Sequence, residues 1–442
     1  MTVPDPPVLL VTGAKDTGKT TFVVELIHHL SARGYRVVAL KRAATWVGHP
    51  AASGTDTDRF ARAGAVAVGL TWPGGTYVAV CDTSGQTPVS AVDVGPTPLA
   101  DLVQALSARA RAATGTPPGG GGPQGGPGGR PDLLAIAEGF SDTLYPRVHV
   151  LPRAGRPGRP ATGPVLATWA LGPDASVRAA ALSDEVEKTL PLLTSWAARL
   201  AGGRAPAGQV VAAVLAGGAG RRLGGRDKWL LEVGGRLQKE RCLEVLAGIF
   251  DSVMVVGRPP EEAGSGDAGR RHVPVPEPRF PGGLLLVSDL VPGGGPLGGL
   301  YSALSAAGGR TLFLLAGDMP FLSRALILHL VFLAHRLQGR FDVLMPAWGD
   351  RGWVEPLHAV YAPGCLGRLQ ELAEAGNLAG LRVTEALAGL ATSLVPEDEL
   401  RLFGPPEVTF LNLNTAEDLA RAERLARSGP PARGGRTYVE FP

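Results

Sequence analysis

The chain has 442 residues and a net charge of +3, with 45% of the residues hydrophobic and 19% charged. This length predicts two or three globular domains with ample core, and the charge balance requires neither a nucleic acid nor a membrane surface as a partner. No apolar stretch is long enough to span a bilayer, the N-terminus lacks the positive region of a secretory signal, and the cysteines form no CxxC pair. We therefore expect a cytoplasmic protein with buried, reduced cysteines at Cys81, Cys242 and Cys365.

The first motif follows an apolar strand predicted over residues 7–12. The segment GAKDTGKT, Gly13 to Thr20, fits the phosphate-binding pattern G-x-x-x-x-G-K-[ST] and leads directly into an apolar helical pattern. Its backbone N–H groups are expected to surround a β-phosphate, while Lys19 reaches the β- and γ-phosphates and the Thr20 hydroxyl binds Mg²⁺. The nucleotide-binding residues predicted here are Gly13, Thr17, Gly18, Lys19, Thr20 and Thr21.

Acidic residues follow in the rest of the first half. Asp56 and Asp58 open a short predicted helix, where helix capping and a metal role both remain open. Glu138 ends a buried strand, where it either holds Mg²⁺ through water or pairs with a nearby lysine or arginine. The Gly/Pro-rich segment 114–130 is predicted to be a disordered insertion, a helix over 185–200 closes the domain, and residues 201–208 form a flexible linker.

Several of these segments together resemble a known family. The P-loop, Leu40-Lys41, the GTDT at 54–57, the ARAGA run at 61–65 and the EGF at 138–140 are similar to the molybdopterin-guanine dinucleotide accessory GTP-binding protein. The resemblance covers about residues 7–200 and implies GTP binding with slow hydrolysis. Two departures concern loops: residues 42–46 replace a histidine-rich stretch, and Ser141 replaces the usual lysine.

The second half begins with a buried strand predicted from Val210 to Leu215. The loop after it is rich in glycine and arginine and ends in Asp227-Lys228. Glycines let backbone N–H groups approach an anion closely, and arginine and lysine supply positive charge for a polyphosphate. An ordinary turn has no use for these cations, so the pattern predicts a nucleotide site at the end of the strand.

Two aspartates follow separate strands farther along, at Asp289 and Asp318. The ends of parallel strands meet at one edge of a sheet, where carboxylates can take a divalent ion that bridges phosphates. The alternative for Asp318 is a cap on the next helix, which leaves the neighbouring glycine loops unexplained. His329 and His358 lie in apolar runs and are expected to be packed and hydrogen-bonded.

The loop sequence LAGGAGRRLGGRDK resembles the signature of the molybdenum cofactor guanylyltransferases. The segments PGGGPLGG at 292–299, EPLHA at 355–359 and FLNLNT at 410–415 extend the resemblance over about residues 209–427. It implies catalytic roles for Lys228, Asp318 and Arg222. It also implies nucleotide binding by Leu215, Ala216, Gly217, Gly218, Lys228, Asp289 and Asp318, acceptor binding by Gly298, Asn412 and Asn414, and metal ligands at Asp318 and Asp289, in addition to Thr20 and Glu138 of the first half.

Some alternatives remain open within this resemblance. Asn412 and Asn414 are also explained by an edge strand followed by a helix cap. Gly257 stands where the family often has asparagine, which leaves the base specificity open, and the segment 235–238 lacks the usual proline.

The sequence thus predicts a fusion of two α/β domains, both mainly parallel sheets flanked by helices. Residues 1–200 are expected to form a P-loop NTPase-like GTP-binding domain, 209–427 a Rossmann-like nucleotidyltransferase domain, and 428–442 a flexible tail. The expected reaction moves GMP from GTP to molybdopterin with release of pyrophosphate, with Mg²⁺ as cofactor. The expected partners are GTP, molybdopterin, and molybdoenzymes or other cofactor-biosynthesis proteins, without nucleic acid or membrane. A nucleotidyltransferase for CTP or a sugar phosphate and a non-catalytic GTP-dependent delivery module are the alternatives.

Overall fold

The computed structural model describes residues 6–45, 52–81, 89–90, 99–113, 133–140, 145–151, 164–170, 175–200, 210–216, 227–247, 249–257, 272–401 and 403–428. Contacts divide the chain into two compact units, Met1–Gly202 and Gly203–Pro442. The predicted insertion at 114–130, the linker at 201–208 and the tail beyond residue 428 lie outside the described residues. Among the helices in these ranges, none is long and apolar enough to cross a membrane.

Within its described residues, the N-terminal unit contains one sheet of eight strands. In chain order the strands are β1 Val8–Gly13, β2 Val37–Arg42, β3 Ala65–Trp72, β4 Gly75–Val80, β5 Val89–Ser90, β6 Leu134–Glu138, β7 Arg147–Leu151 and β8 Val165–Ala170. Their order across the sheet is β5-β4-β3-β2-β6-β1-β7-β8, parallel from β3 to β8 and antiparallel at β4 and β5. The P-loop strand β1 is therefore central and buried, as its continuous apolar sequence predicts.

Helices cover this sheet, and their described bounds are α1 Lys19–Ala32, α2 Asp56–Arg62, α3 Leu99–Ala113 and α4 Ala175–Leu200. Alternate strand residues such as Leu10 and Leu40 pack in one core with Leu102 and Leu106 of α3. The last helix begins ten residues before the predicted start at residue 185, because apolar residues already recur at helical spacing through its first turns.

The strands of the C-terminal unit are β9 Val210–Leu215, β10 Glu232–Val233, β11 Arg236–Leu237, β12 Val253–Val256, β13 His272–Glu277, β14 Phe280–Val287, β15 Thr311–Ala316, β16 Val343–Trp348, β17 Trp353–Val354, β18 His358–Tyr361 and β19 Thr392–Val395. The main sheet runs β13-β14-β12-β9-β15-β18-β16-β17, with β19 pairing alongside β16, while β10 and β11 form a separate hairpin. The centre, from β14 to β15, is parallel, and β13 and β18 pair antiparallel with it.

The helices of this unit are α5 Gln238–Ala247, α6 Gly295–Ala306, α7 Arg324–Arg336, α8 Cys365–Glu374, α9 Val383–Ala386, α10 Glu397–Leu400, α11 Pro406–Thr409 and α12 Ala416–Ser428. Helices α6 and α8 share a large core with alternate residues of β9, β15 and β18. A smaller cluster joins the β10–β11 hairpin to α12 through Val233, Leu413 and Ala422. Ser428 closes α12 and so belongs to the folded unit rather than to the predicted tail.

The edge strand considered for Asn412 and Asn414 is not formed. Residues 411–414 pair with no ladder, and the segment is held by a hydrogen bond from Leu413 N to Asp318 O of 3.0 Å. Thr415 instead begins α12: its hydroxyl accepts from Asp418 N at 3.1 Å, and Asp418 Oδ2 accepts from Thr415 N at 2.8 Å. The reciprocal bonds satisfy backbone groups at the helix start, so the cap is the threonine and not either asparagine.

Candidate nucleotide-binding sites

Four parallel strands of the C-terminal unit end in one row. Val287 pairs with Val256, Val256 with Leu215, and Leu215 with Ala316. The residues that follow these strands therefore lie along one edge of the sheet, in the order Asp289, Gly257, Ala216 and Asp318. This is the edge at which open α/β sheets bind ligands.

Three predicted site residues meet at this edge. Lys228 Nζ donates to Asp318 Oδ2 at 2.7 Å and to Asn414 Oδ1 at 2.6 Å. The side chains of Lys228 and Asp318 are only 20% and 19% exposed. Two oxygens from distant parts of the chain thus hold the ammonium at the carboxyl-terminal edge of the parallel strands. A helix-cap role for Asp318 is wrong, because Ser323 caps α7 by accepting from Leu326 N at 3.3 Å.

Gly317 allows the end of β15 to pack closely against Leu215 and the Trp229 ring. Its N–H donates to Leu215 O at 3.0 Å, and a Cβ at this position would lie 2.8 Å from that oxygen and 2.9 Å from the Trp229 ring. Trp229 is buried and follows Lys228 in a short 3-10 turn, in which Asp227 accepts from Trp229 N at 2.9 Å. The glycine therefore sets the distance between the strand end and the lysine turn.

The loop before α6 packs against the same strand ends. Gly293 and Gly295 have φ of 77° and 59°, values that favour glycine. A Cβ on Gly299 would lie 2.8 Å from Leu215 Cδ2, and one on Gly298 would lie 3.1 Å from Val291 O. Backbone conformation thus accounts for Gly293 and Gly295, and close packing accounts for Gly298 and Gly299 in the first turns of α6. An acceptor contact by Gly298 stays a prediction.

Other predicted residues of this unit occupy separate positions. Asp289 keeps part of its surface exposed. The protein atoms around it desolvate the carboxyl group in part, which raises its pKa above the usual value. Asn412 Nδ2 donates to Phe410 O at 3.1 Å and makes no hydrogen bond to Lys228. Gly217, Gly218 and Arg222 lie outside the described residues.

The P-loop of the N-terminal unit has the geometry of an anion site. No side chain of the described residues caps the start of α1, which leaves first-turn N–H groups for a ligand. Gly18 has φ of 80°, and a Cβ on Gly13 would lie 2.3 Å from Val150 O. Lys19 Nζ donates to Ala14 O, so the lysine folds back over its own loop. Thr17 supports that turn by donating to the same carbonyl at 2.9 Å.

Lys41 joins the acidic residues of this unit. Its Nζ donates to Thr20 Oγ1 at 3.1 Å and to Glu138 Oε1 at 3.3 Å, and it also pairs with Asp56. Thr20 in turn donates to both oxygens of Glu138, at 3.1 and 3.0 Å. The ammonium thus lies among three oxygen-bearing side chains beside the P-loop. Asp58, by contrast, accepts from Gly54 N at 2.8 Å in the first turn of α2, which lowers its pKa.

Three buried histidines differ in their surroundings. His329 is stacked on Phe403 and bonded to Glu399 Oε1 at 2.5 Å, as predicted. His358 is fully buried, and within the described part of the chain neither of its ring nitrogens has a hydrogen-bond partner, contrary to the prediction; burial lowers its pKa to about 3. His149, which no sequence pattern singles out, contacts Thr12 Oγ1 at 3.0 Å, and burial lowers its pKa to about 4.

Residues 212–389 match the family described as MobA-like NTP transferase domain. A probable molybdenum cofactor guanylyltransferase from Pelotomaculum thermopropionicum is 32% identical over 231 residues, which are 52% of this chain and 98% of that protein. The chain belongs to the molybdenum cofactor guanylyltransferase family. The molybdenum cofactor guanylyltransferase of Syntrophotalea carbinolica is likewise 32% identical to it, over 50% of this chain and 91% of the relative.

The N-terminal unit matches a different family from the guanylyltransferase unit. Residues 8–94 match molybdopterin guanine dinucleotide synthesis protein B. The predicted fusion and the mixed α/β class of both units are therefore confirmed. Among solved structures, molybdopterin-guanine dinucleotide biosynthesis protein A from Archaeoglobus fulgidus is 26% identical, covering 49% of this chain and 99% of that chain with a TM-score of 0.38.

Sequence reasoning misses two residues of the C-terminal site and assigns no role to one residue of the N-terminal site. Gly317 and Trp229 are not among the predicted residues, although a glycine directly after a buried strand and an aromatic beside the lysine are visible in the sequence. Lys41 enters the prediction only as part of a resemblance. Its position at the end of a strand two places from β1 is the signal, because that position faces the P-loop edge.

Proposed function

We propose that the C-terminal unit transfers the GMP moiety of GTP to the terminal phosphate of molybdopterin and releases pyrophosphate. The observation that carries this proposal is the Lys228 ammonium, held by Asp318 and Asn414 at the strand edge from which the glycine–arginine loop departs. The relatives, named as molybdenum cofactor guanylyltransferases, support the choice of reaction.

The chemistry is an in-line displacement at the α-phosphorus of GTP. An oxygen of the acceptor phosphate forms the new P–O bond, the bond from the α-phosphorus to the bridging oxygen breaks, and pyrophosphate leaves with that electron pair. The acceptor oxygen is already anionic, so the reaction requires no general base. Positioning and charge neutralisation then provide most of the rate. In this scheme Lys228 exchanges its bond to Asp318 for the phosphates and neutralises their charge together with Arg222, while the backbone from Leu215 to Gly218 holds the base and ribose end.

Asp318 fits a divalent ion. Its carboxylate uses Oδ2 for Lys228 and has no other side-chain partner among the described residues. No group of three or more acidic, histidine or cysteine residues that could hold a metal was found in the described part of the chain. Mg²⁺ accepts such a site, since it commonly binds one or two carboxylates and completes its shell with phosphates and water. When bound, it would neutralise charge on the phosphates.

Asp289 is assigned to the nucleotide rather than to the same ion. Strands β14 and β15 are separated by β12 and β9, and three strand spacings amount to roughly 14 Å. One ion has oxygen ligands at about 2 Å, so it does not bridge carboxylates at both places. Asp289 is better placed for the ribose or base.

The N-terminal unit is assigned GTP binding and slow hydrolysis. Lys19 would bind the β- and γ-phosphates, and Thr20 and Glu138 have the oxygen atoms for the accompanying Mg²⁺. We assign the protein to the cytoplasm. Molybdoenzymes or other cofactor-biosynthesis proteins would receive its product.

The test is pyrophosphate release by the purified full chain with GTP and molybdopterin, together with identification of the dinucleotide product. Parallel reactions with CTP and ATP test the base, and a sugar phosphate tests the acceptor. We expect release with GTP and molybdopterin alone. Faster release with CTP would replace the nucleotide assignment, and binding of GTP without any release would favour the delivery module.

A further inference from the structure

A second group of polar and aromatic residues lies at the edge that carries Asp318. Trp348 ends β16 and pairs with Trp353 of β17, across a turn formed by residues 349–352. Trp348 Nε1 donates to Glu355 Oε1 at 2.8 Å. A carboxylate is therefore bonded to one indole ring of a pair.

The pairing of the strands fixes this group relative to the proposed reaction site. Ala316 N donates to Leu357 O at 2.8 Å, so Glu355 lies two residues from the strand that leads to Asp318. Strand β16 is antiparallel to β18, which brings its end, Trp348, to the same edge. Asp289 and Ala216 follow β14 and β9, which lie on the opposite side of β15 from β18 and β16. The edge thus has a nucleotide side and a second side formed by Glu355 and the tryptophans.

The two indoles form a rigid apolar surface. Trp353 is 53% exposed, and its ring centroid is 5.3 Å from that of Trp348 at an angle of 68°. Gly349 has φ of 75°, and a Cβ there would lie 2.7 Å from the Trp353 ring. Trp348 also contacts Phe410, at 6.0 Å between centroids. Gly349 and Trp348 both pack against the Trp353 ring, so its orientation is fixed. The exposed indole of Trp353 is therefore a preformed stacking surface.

Glu355 is poorly solvated for a carboxylate. Burial raises its pKa to about 7, although the hydrogen bond from Trp348 opposes this. Its second oxygen has no partner among the described residues. That oxygen is not one of the buried polar atoms without a partner, so it reaches the surface and can accept hydrogen bonds from a ligand.

We propose that Glu355, Trp348 and Trp353 recognise the 2-amino-4-oxopyrimidine ring of the acceptor pterin. This ring presents an N–H and an adjacent amino group, two neighbouring donors that a carboxylate accepts in parallel. Its flat face stacks on an indole. The inference rests on the proposed function, which places a pterin acceptor next to Asp318.

The base of GTP presents the same pair of donors. The position of the site favours the pterin, since the elements assigned to the nucleotide lie on the other side of Asp318. Experiments with each substrate distinguish binding of the pterin from binding of the guanine of GTP.

The test compares Michaelis constants of the full chain. Glu355→Gln should raise the KM for molybdopterin at least tenfold and leave the KM for GTP within twofold, because an amide cannot accept two parallel donors. Trp353→Ala should raise the KM for molybdopterin about tenfold through lost stacking. Asp350→Asn, in the exposed turn of the same hairpin, is the matched control and should change neither constant. A rise in the KM for GTP instead would assign the site to guanine and overturn the proposal, as would unchanged constants in both variants.

A binding measurement separates this inference from the proposed reaction. Quenching of indole fluorescence by 6-hydroxymethylpterin phosphate is followed in the full chain without GTP, with guanosine as the competing probe. We expect saturable quenching by the pterin that is weakened at least tenfold in Glu355→Gln and retained in Asp350→Asn. Quenching that persists without pyrophosphate release would refute the reaction but not the pterin site. Equal quenching in the wild type and in a folded Glu355→Gln would refute the site even if the reaction occurs.

Discussion

Replacing Lys228 by alanine removes the cation on which the proposed transfer depends. The side chain connects Asp318 and Asn414 through hydrogen bonds of 2.7 and 2.6 Å. Its loss leaves a carboxylate that is four-fifths buried without its counter-charge. The variant is therefore expected to lose both transition-state stabilisation and some stability of the fold.

The two losses differ in size. Hydrogen bonds to charged groups contribute about 1.5–3 kcal/mol each, and partial solvent access reduces the total, so we expect the free energy of unfolding to fall by about 2–3 kcal/mol. Removal of one preorganised charge-stabilising contact lowers kcat by about 10²–10³-fold. Lysine carries a full charge at the α-phosphate in our scheme, so the decrease should be at least of this order. Lys228→Arg should recover stability better than activity, because the guanidinium does not reproduce the point charge.

The assay measures pyrophosphate release at saturating GTP and molybdopterin, with thermal unfolding of the same samples. The control is Arg236→Ala, which breaks an exposed ion pair with Glu244 in the same unit and should cost at most about 1 kcal/mol without affecting turnover. A folded Lys228→Ala variant with kcat within tenfold of the wild type would refute the assigned role of the lysine.

Three further changes test other parts of the structure. Gly317→Ala should destabilise the C-terminal unit by about 1–3 kcal/mol and lower kcat, because the added methyl group meets a carbonyl oxygen and the Trp229 ring. Lys41→Met should destabilise the N-terminal unit by about 3–5 kcal/mol, since Glu138 is 5% exposed and loses its cation, and Mg²⁺ should restore part of this stability in thermal unfolding. For Glu355 the pKa is raised from 4.5 to about 7, so its contribution to stability falls as pH rises through that window, by about 3 kcal/mol at 1.36 kcal/mol per pH unit. Glu355→Gln should remove this decline in chemical denaturation measured from pH 4.5 to pH 8.

Each of these three substitutions is measured against a control. Gly367 lies in α8, where a methyl group added to the glycine would have no other atom within 4 Å, so Gly367→Ala should be neutral or stabilising; equal loss in both variants would contradict the packing argument. Arg59 contacts Asp56 at 3.8 Å on the surface, and Arg59→Ala should cost far less than Lys41→Met. If Glu355→Gln follows the wild-type pH curve, the carboxylate is not poorly solvated.

The fold was largely predictable from local pattern. Continuous apolar runs such as 210–215 and 311–316 are short, rich in Val and Leu, and followed by glycine, which suffices for buried parallel strands. The segment 410–415 was less predictable, since its alternation fits a strand equally well. Its conformation is set by tertiary bonds to Asp318 and by the cap of α12, neither of which is visible in a local pattern.

The site was predictable in its composition but not in its arrangement. Lysine and aspartate in the right sequence context pointed to phosphate chemistry, yet the order of strands, which separates Asp289 from Asp318, depends on long-range pairing. The group around Glu355 was harder to find. The Trp–Gly–Asp–Arg–Gly–Trp turn contains a tight hairpin with flanking aromatics, but only the structure shows that Trp348 pairs with Trp353 and also donates to the carboxylate of Glu355.

The bond between Lys228 and Asn414 joins residues that are 186 positions apart. While the ribosome is still making this protein, the lysine is present long before its amide partner has been synthesised. The N-terminal unit, which is compact by itself, can fold before then, whereas the transferase centre is completed only when residue 414 has left the ribosome. Guanylyl transfer is for this reason expected to start as a late event in the synthesis of each molecule.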